Sequence, residues 1–488
     1  MIIGIDLGTT YSCAAYIKDG RPEVIMNTDG DKTTPSVVLF ENEKNIVVGK
    51  NAKEQIIICP ERIIATVKDY MGTDMRFTQF GKEYSPEEIS AIILKKIIQD
   101  SEAAIGESVD GIVVTIPAYF TDTQRKATAD ACNLLAVPLI SMINEPTAAA
   151  LCYLNEKENT LKQTILAYDL GGGTFDVSIV EFNEGTSRVV ATGGLRKVGG
   201  HSFDQLILNK IVEFIEETHN IDLYEDEYLD VLQELSIKAE KAKIQLSTAQ
   251  KADVVLRIGK IKEKVTITRS EFESLIDKFY RRTESIVRRV LDDAGMAFSN
   301  IDKIILIGGS SRIPYIREQL KLLSGIEPSS DINPDEAVCM GAAIHANSTG
   351  KFKISDVCSH SLGIVLTQNV NSVIIRRNTL LPTVCERKYV IPEDGLSSIV
   401  IVLTEGEGEN IEYVNQFATF EIDIPPQTEK GTQVVVHFEL DENQILGVRT
   451  TVMTKPIIEK QVKIDRKSNL KLEELLTKKS ALAQAVVE

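Results

Sequence analysis

Two short phrases constrain this chain more than anything else in it: Ile2-Ile3-Gly4-Ile5-Asp6-Leu7-Gly8-Thr9-Thr10 at the start, and Ile165-Leu166-Ala167-Tyr168-Asp169-Leu170-Gly171-Gly172-Gly173-Thr174 further on. In each, an apolar run that reads as a buried strand ends at an Asp, and a turn of glycine and hydroxyl residues follows. A single such turn is the ordinary tip of a β-hairpin. Two copies, each closing an apolar run, predict two equivalent halves facing one cleft. The chemistry suits a nucleoside triphosphate: glycine lets backbone N–H groups approach phosphate oxygens, Thr hydroxyls add donors, and carboxylates at strand ends can hold Mg²⁺ through its waters. Asp6 and Asp169 are the candidate carboxylates, since two facing negative charges repel without a cation between them.

With 488 residues, 43% of them hydrophobic, the chain can bury large cores and should hold more than one domain. The formal net charge of −17 disfavours a phosphate-backbone partner, so no nucleic acid is expected. Seven cysteines, Cys13, Cys59, Cys132, Cys152, Cys339, Cys358 and Cys385, are scattered, odd in number and never paired as C-x-x-C. That pattern argues against a disulfide framework and a zinc site and suits a reducing cytoplasm. No basic stretch precedes the first apolar residues, Asp6 interrupts them at once, and no run has the length to span a bilayer, so neither secretion nor membrane insertion is expected.

Up to about residue 347, strand-like apolar runs alternate with longer helical patterns, the signature of an α/β domain. Ser85-Pro86-Glu87-Glu88 predicts a helix start, with Ser as N-cap, Pro at the first helical position, and Ile89, Ile92, Ile93 and Ile97 as the buried stripe. Gly111 to Pro117 reads as another buried strand. After Asn347-Ser348-Thr349-Gly350 the texture changes to alternating β-branched residues, as in Ser398 to Leu403 and Gln433 to Phe438, separated by turn residues. From Ser468, the spacing of Leu470, Leu472, Leu475 and Leu476 predicts one short helix.

Five motifs, in order, resemble the seventy-kilodalton heat-shock protein family, the DnaK-type chaperones: Asp6 to Ser12, Ile116-Pro117-Ala118-Tyr119-Phe120, Asn144-Glu145-Pro146-Thr147-Ala148-Ala149-Ala150, Asp169 to Asp176, and Gly308-Gly309-Ser310-Ser311-Arg312-Ile313-Pro314. The similarity covers the ATPase domain and, more weakly, the β region to about residue 463. It implies an actin-like, duplicated ATPase domain with ribonuclease-H-like halves over 1–348, a linker over 349–357, an antiparallel β-sandwich that binds peptide over 358–465, and a short C-terminal helix, a lid remnant, over 466–488. About 25 residues after the β region are too few for a full helical lid at roughly 1.5 Å of rise per residue.

The resemblance also implies roles for single residues. Lys68 matches the family's catalytic lysine, which orients the attacking water and stabilises γ-phosphate charge, and Glu145 would order metal-bound water. Asp6 and Asp169 would hold Mg²⁺ through water. Gly8, Thr9, Thr10, Tyr11, Gly171, Gly172, Gly173 and Thr174 would grip the phosphates, with Gly199 and Gly200 as a further phosphate-side turn. Glu240, Lys243 and Ser247, at i, i+3 and i+7 on one helix face, match positions that bind the nucleoside. Gly308, Gly309, Ser311 and Arg312, with Asp335, match the adenine side. Pro117 and Arg125 resemble the relay between nucleotide cleft and second domain. Thr367, Val370, Tyr389, Ile391, Ile399 and Ile401 would frame the peptide cleft.

The implied ligands are ATP or ADP with Mg²⁺, and K⁺ as an optional second cation. The implied partners are unfolded or hydrophobic peptide segments, a J-domain co-chaperone and a nucleotide exchange factor, in the cytoplasm and as part of a stress response. Three departures stand out: Ile244 where many relatives are basic, Thr367-Gln368-Asn369 in place of a Met-Gly-Gly type loop, and a linker without the usual leucine-rich run, although Phe352, Ile354 and Val357 still offer an apolar strip. The altered linker keeps open a co-chaperone or nucleotide-gated holdase with weak domain coupling. A small-molecule kinase on the same fold finds no catalytic motif in the β region, and a filament-forming actin relative would not explain that region at all.

Overall fold

The computed structural model describes residues 1–157, 162–183, 186–329, 331–347, 353–441, 446–463 and 472–488, a mixed α/β structure with ten α-helices and several separate sheets among them. The repeated phrase becomes a repeated strand arrangement. Ile2–Asp6 runs parallel to Gly111–Ile116 on one side and antiparallel to Tyr11–Lys18 on the other. Gln163–Leu170 does the same, parallel to Lys303–Ile307 and antiparallel to Thr174–Asn183. These two sheets define the first and second lobes. Leu139–Asn144 and Arg21–Ile25 complete the main path of the first, and Thr186–Arg196 extends the second. All six residues of Gly111–Ile116 are buried, as a central parallel strand covered on both faces requires.

Helix Pro86–Ile105 begins where the sequence places it. Ser85 Oγ accepts from the Glu88 N–H at 3.4 Å and Glu88 Oε2 accepts from the Ser85 N–H at 2.8 Å, a reciprocal capping box ahead of Pro86. Ile89, Ile92, Ile93 and Ile97 are buried in the first lobe's core, each contributing about 2 kcal/mol of apolar burial. Helices Glu145–Lys157 and Ala337–Asn347 pack on each other, and buried Ala148, Ala149, Ala342 and Ala343 are small enough to let them approach closely.

Part of the segment read as a linker is sheet. Lys353–Ser355 pairs in parallel with Thr186–Arg196 as an edge strand of the second lobe, and Val357 joins a buried cluster with Val180, Phe182 and Val189. Phe352 lies outside the described residues. Beyond it, two four-stranded antiparallel sheets, ordered Val370–Ile375, Leu362–Leu366, Ser398–Glu405, Asn415–Asp423 and Thr383–Val390, Gln433–Leu440, Leu446–Val452, Ile458–Lys463, share one apolar core that includes Leu362, Ile375, Phe438 and Val448. This β domain is docked on both lobes. Arg377 pairs with Asp293 at 2.7 Å, Asn378 Oδ1 accepts from the Thr192 N–H at 3.2 Å, and Glu405 Oε1 accepts from the Asp122 N–H at 3.3 Å.

The last segment forms helix Leu472–Gln484. Leu470 lies outside the described residues, and Leu476 is exposed. Leu482 and Ala485 pack against the first lobe's core instead, and Val486–Val487 adds a strand beside Asn45–Val48.

Candidate functional site

The two Asp residues that end the central strands of the lobes lie in one desolvated pocket. Asp6 Oδ1 accepts from Thr115 Oγ1 at 3.1 Å. Asp169 stands opposite Asp176 in the antiparallel register of its hairpin. Lys68, in the short turn Val67–Tyr70, places Nζ 2.6 Å from Oε1 of Glu145, the first residue of its helix. Burial first, and then the Glu145 charge, push Asp6 up to about 7 and Asp176 up to about 7, and the same causes raise Asp169 well above the usual carboxylate range. For Lys68, burial acts against the charged form, but Glu145 and Asp6 outweigh it and the ammonium is held more firmly than usual. Four carboxylates around one ammonium leave an excess of negative charge that suits a cation. Among the described residues no three acidic, His or Cys groups converge into a direct chelating set, so an ion held here would keep much of its water shell.

The turns that follow these strands meet tip to tip. A Cβ on Gly172 would collide with Thr10 Oγ1, and Thr9 approaches Gly173 from the same side. The Gly8 N–H donates to Ser12 Oγ at 3.1 Å, and the Gly171 N–H closes the second turn on Thr174 O at 3.1 Å. Tyr11 is exposed at the rim, with Lys53 over its ring. Gly199 and Gly200 lead into the 20-residue helix Gly200–His219, whose first N–H groups donate to Gly171 O and Gly172 O at 2.9 Å. The positive end of that helix therefore lies at the glycine turns, where an anion would be favoured.

Helix Leu229–Leu246 carries Glu240 and Lys243, and Ser247 is its C-cap. Glu240 is paired with Lys53 of the first lobe at 2.9 Å, and Lys243 with Asp204 at 2.8 Å. Arg312 is held by Asp335 and by Asn333 Oδ1, each at 2.6 Å. Gly308 has φ 77°, and a side chain there would press on Asp169 and on Leu170 O, so this loop can approach the Asp169 carboxylate only as glycine. Gly309 follows it in the turn Gly309–Arg312; Ser311 Oγ donates to Gly308 O at 2.7 Å within the turn, and Ser310 Oγ donates to Gly171 O at 2.8 Å, which ties this loop to the turn Gly171–Gly173. Ile244 is exposed on the same helix as Glu240. Lys53 escaped the sequence reading because it reaches the site from a first-lobe helix with no local motif, and Asp204, shortly after Gly200, because its partner Lys243 lies on a different helix. Asp176 had a signal: it follows Asp169 by seven positions across a tight turn, and antiparallel pairing returns it to face its partner.

In the β domain the six expected cleft residues divide into two groups. Thr367 and Val370 flank an exposed hairpin tip, where Gln368 and Asn369 take left-handed φ of 69° and 61°. Tyr389 is half-buried with its hydroxyl 3.0 Å from Ser372 Oγ, which links the two sheets. Ile391 and Ile401 are 1% and 5% exposed and belong to the core, and Ile399 packs against it.

A chain of short hydrogen bonds joins the carboxylate pocket to the β domain. The Tyr119 N–H donates to Asp176 Oδ1 at 2.8 Å. The neighbouring Ala118 O accepts from Arg125 Nη2 at 2.9 Å and from Ser359 Oγ at 2.6 Å. Arg125, fully inside, also donates to Phe120 O, to Asn144 Oδ1 at 3.1 Å and to Ser359 Oγ at 3.1 Å. Pro117 O accepts from the Phe120 N–H and sets this turn. Asn144, next to Glu145, donates to Asp356 Oδ2 at 2.5 Å. His360 packs against Tyr119, their rings tilted by 54° with centroids 4.1 Å apart and Nε2 3.2 Å from Tyr119 O, and burial pushes its pKa down to about 3, whereas burial pushes Glu405 up to about 7.

The family model described as Hsp70 protein matches residues 2–80 and 73–484. With a match over nearly its whole length, the chain belongs to the Hsp70 family.

Proposed function

We propose that this chain is an ATP-dependent molecular chaperone that binds exposed hydrophobic segments of unfolded proteins, with its grip on them switched by slow hydrolysis of Mg-ATP. Family membership supports the general terms: Hsp70 proteins are ATPases, bind ATP or ADP with Mg²⁺, and work with unfolded peptides and co-chaperones. In this reading the lobes are the actin-like ATPase halves and the paired sheets are a peptide-binding β-sandwich.

Phosphoryl transfer to water needs positioning and charge stabilisation more than covalent chemistry. Thr9, Thr10, Thr174 and the N–H groups of the two turns hold the phosphates. Lys68, fixed by Glu145, meets the charge that builds on the γ-phosphate and orients the water, and Glu145 orders the solvent beside it. Asp6 and Asp169 are the residues that would hold Mg²⁺ through water, where it offsets phosphate charge. Glu240, Lys243, Ser247 and Arg312 line the nucleoside side.

The observation that carries the switching part is the path of hydrogen bonds that runs from Asp176 through Tyr119, Ala118 and Arg125 to Ser359, and from Asn144, the chain neighbour of Glu145, to Asp356. A rearrangement around the γ-phosphate that moves Glu145 or Asp176 pulls on groups that also hold the β domain. Such a path becomes a coupling only when both ends bias one equilibrium. The test is ATP turnover with and without a leucine-rich peptide. Peptide should accelerate it, and Asp356→Ala combined with Ser359→Ala should erase that response while basal turnover persists; turnover indifferent to peptide in the unaltered chain would refute the switch.

A further inference from the structure

We propose that the first lobe carries a peptide-docking site of its own, at the edge of Asn45–Val48 beside helix Pro86–Ile105, that its occupant is this chain's segment Leu472–Glu488, and that the seated segment is a strap holding the β domain against the lobes.

Four kinds of contact define the site. The first is strand addition: Val486 and Val487 lie in parallel register with Asn45 and Ile46. The Val486 N–H donates to Lys44 O at 3.2 Å, the Glu488 N–H to Ile46 O at 2.9 Å, and the Val48 N–H to Glu488 O at 2.8 Å. Without the segment, Asn45–Val48 would be an open edge with unpaired groups, the kind of template that captures extended peptide. The second is apolar: Val487 is buried in the same cluster as Ile46, Val48 and Ile92, and Leu482 and Ala485 pack on it.

The third is a cation at a helix end. Lys95, on helix Pro86–Ile105, donates from Nζ to Leu482 O at 2.7 Å and to Ala485 O at 2.9 Å, so it caps the carbonyl end of helix Leu472–Gln484 where the dipole is negative. The fourth is charge pairing along the helix flank. Lys478 reaches Glu88 at 2.7 Å, the carboxylate that also caps Ser85, and Lys479 reaches Asn133 O at 3.2 Å. The ligand class is therefore a short helix with a lysine pair on one flank, Lys478 and Lys479, that runs into an extended pair of β-branched residues.

The consequence follows from connectivity. The β domain's last described strand ends at Lys463, and the chain next appears on the first lobe, while the other covalent route to the lobes enters through Lys353–Ser355 on the second. A domain tethered at both ends cannot leave its docked position freely until one tether releases, and intramolecular attachment keeps the strap at high effective concentration near its seat. The inference does not depend on chaperone activity.

The experiment is hydrogen exchange by mass spectrometry on the full chain, on Val487→Asp, and on Lys95→Ala as a milder variant that leaves every apolar side chain in place. The amides of Val48, Val486 and Glu488 should be protected in the unaltered chain at any protein concentration. Both variants should expose them, and with them the amides of Asp122 and Thr192, which bond to the β domain, by about tenfold in rate, while the central pairs between Ile2–Asp6 and Gly111–Ile116 stay protected. Unprotected strap amides in the unaltered chain would overturn the site. Exposure of the strap with the Asp122 and Thr192 amides unchanged would overturn its role in docking. Protection that grows with concentration alongside a dimer in light scattering would assign the seat to a second copy and overturn the intramolecular strap.

Discussion

Lys68 and Glu145, 77 positions apart in sequence, form a 2.6 Å ion pair whose side chains are only 8% and 10% exposed. The pair joins a turn of the first lobe to the start of the helix that packs between the lobes, one residue from Asn144 and its bond to Asp356. Position rather than stability is the return on burying it, since desolvation offsets most of the attraction between two buried charges.

Lys68→Ala should slow single-turnover ATP hydrolysis about 10²- to 10³-fold, the size expected when one preorganised charge-stabilising group is lost. It should also lower stability in denaturant titrations by about 3–5 kcal/mol, because Glu145 is left buried without a partner. Adding Glu145→Gln should recover much of the stability and none of the turnover. Recovery of turnover in the double variant would place the catalytic charge elsewhere.

Arg125→Ala removes donors from Ala118 O, Phe120 O, Asn144 and Ser359 together. The β domain should detach from the lobes, which small-angle scattering reads as a larger radius of gyration. Nucleotide affinity measured by calorimetry should change far less than docking does.

Docking should carry two opposed pH dependences. Glu405 rests at about 7 in the interface against an ordinary 4.5, so the docked form takes up a proton and docking strengthens as pH falls through 7, an effect complete below about 4.5. His360 rests at about 3 against an ordinary 6.5, so the released form takes up the proton and docking weakens as pH falls through 6.5. Asp356, raised by burial, acts in the same sense as Glu405. Interdomain energy transfer between pH 7.5 and 5.5 should therefore show docking that weakens on acidification in Glu405→Gln and strengthens in His360→Gln. Parallel pH curves for the two variants would contradict the assignment.

Gln368 and Asn369 hold left-handed backbone at a hairpin tip where the family resemblance implies glycines. A glutamine in that region costs about 1 kcal/mol, so Gln368→Gly should raise the unfolding midpoint of the β domain, with Asn369→Gly giving less because asparagine tolerates the region better. Thermal unfolding followed by circular dichroism checks this.

The repeated Asp-to-glycine phrases were enough to place the strands Ile2–Asp6 and Gln163–Leu170, and Ser85 to Glu88 announced a helix start that the capping box reproduces. Features of this kind are legible because they are local: strand period, cap chemistry and turn residues act within a few positions. Lys53 and Asp204 were hidden because their partners come from other elements, and only tertiary packing decides which charges meet. The strand Lys353–Ser355 and the seat of Val486–Val487 share that cause: both are edge additions whose partner strands lie far away in sequence, and neither short apolar stretch names its partner.

The central claim is that nucleotide state at the cleft governs what the β domain holds. It is tested most directly by fluorescence anisotropy of a labelled leucine-rich peptide bound to the full chain, followed after Mg-ATP is added and repeated with Asp169→Asn. Rapid release on Mg-ATP, lost in the variant, is the predicted result. Peptide that stays bound after Mg-ATP, or that never binds, would contradict the account.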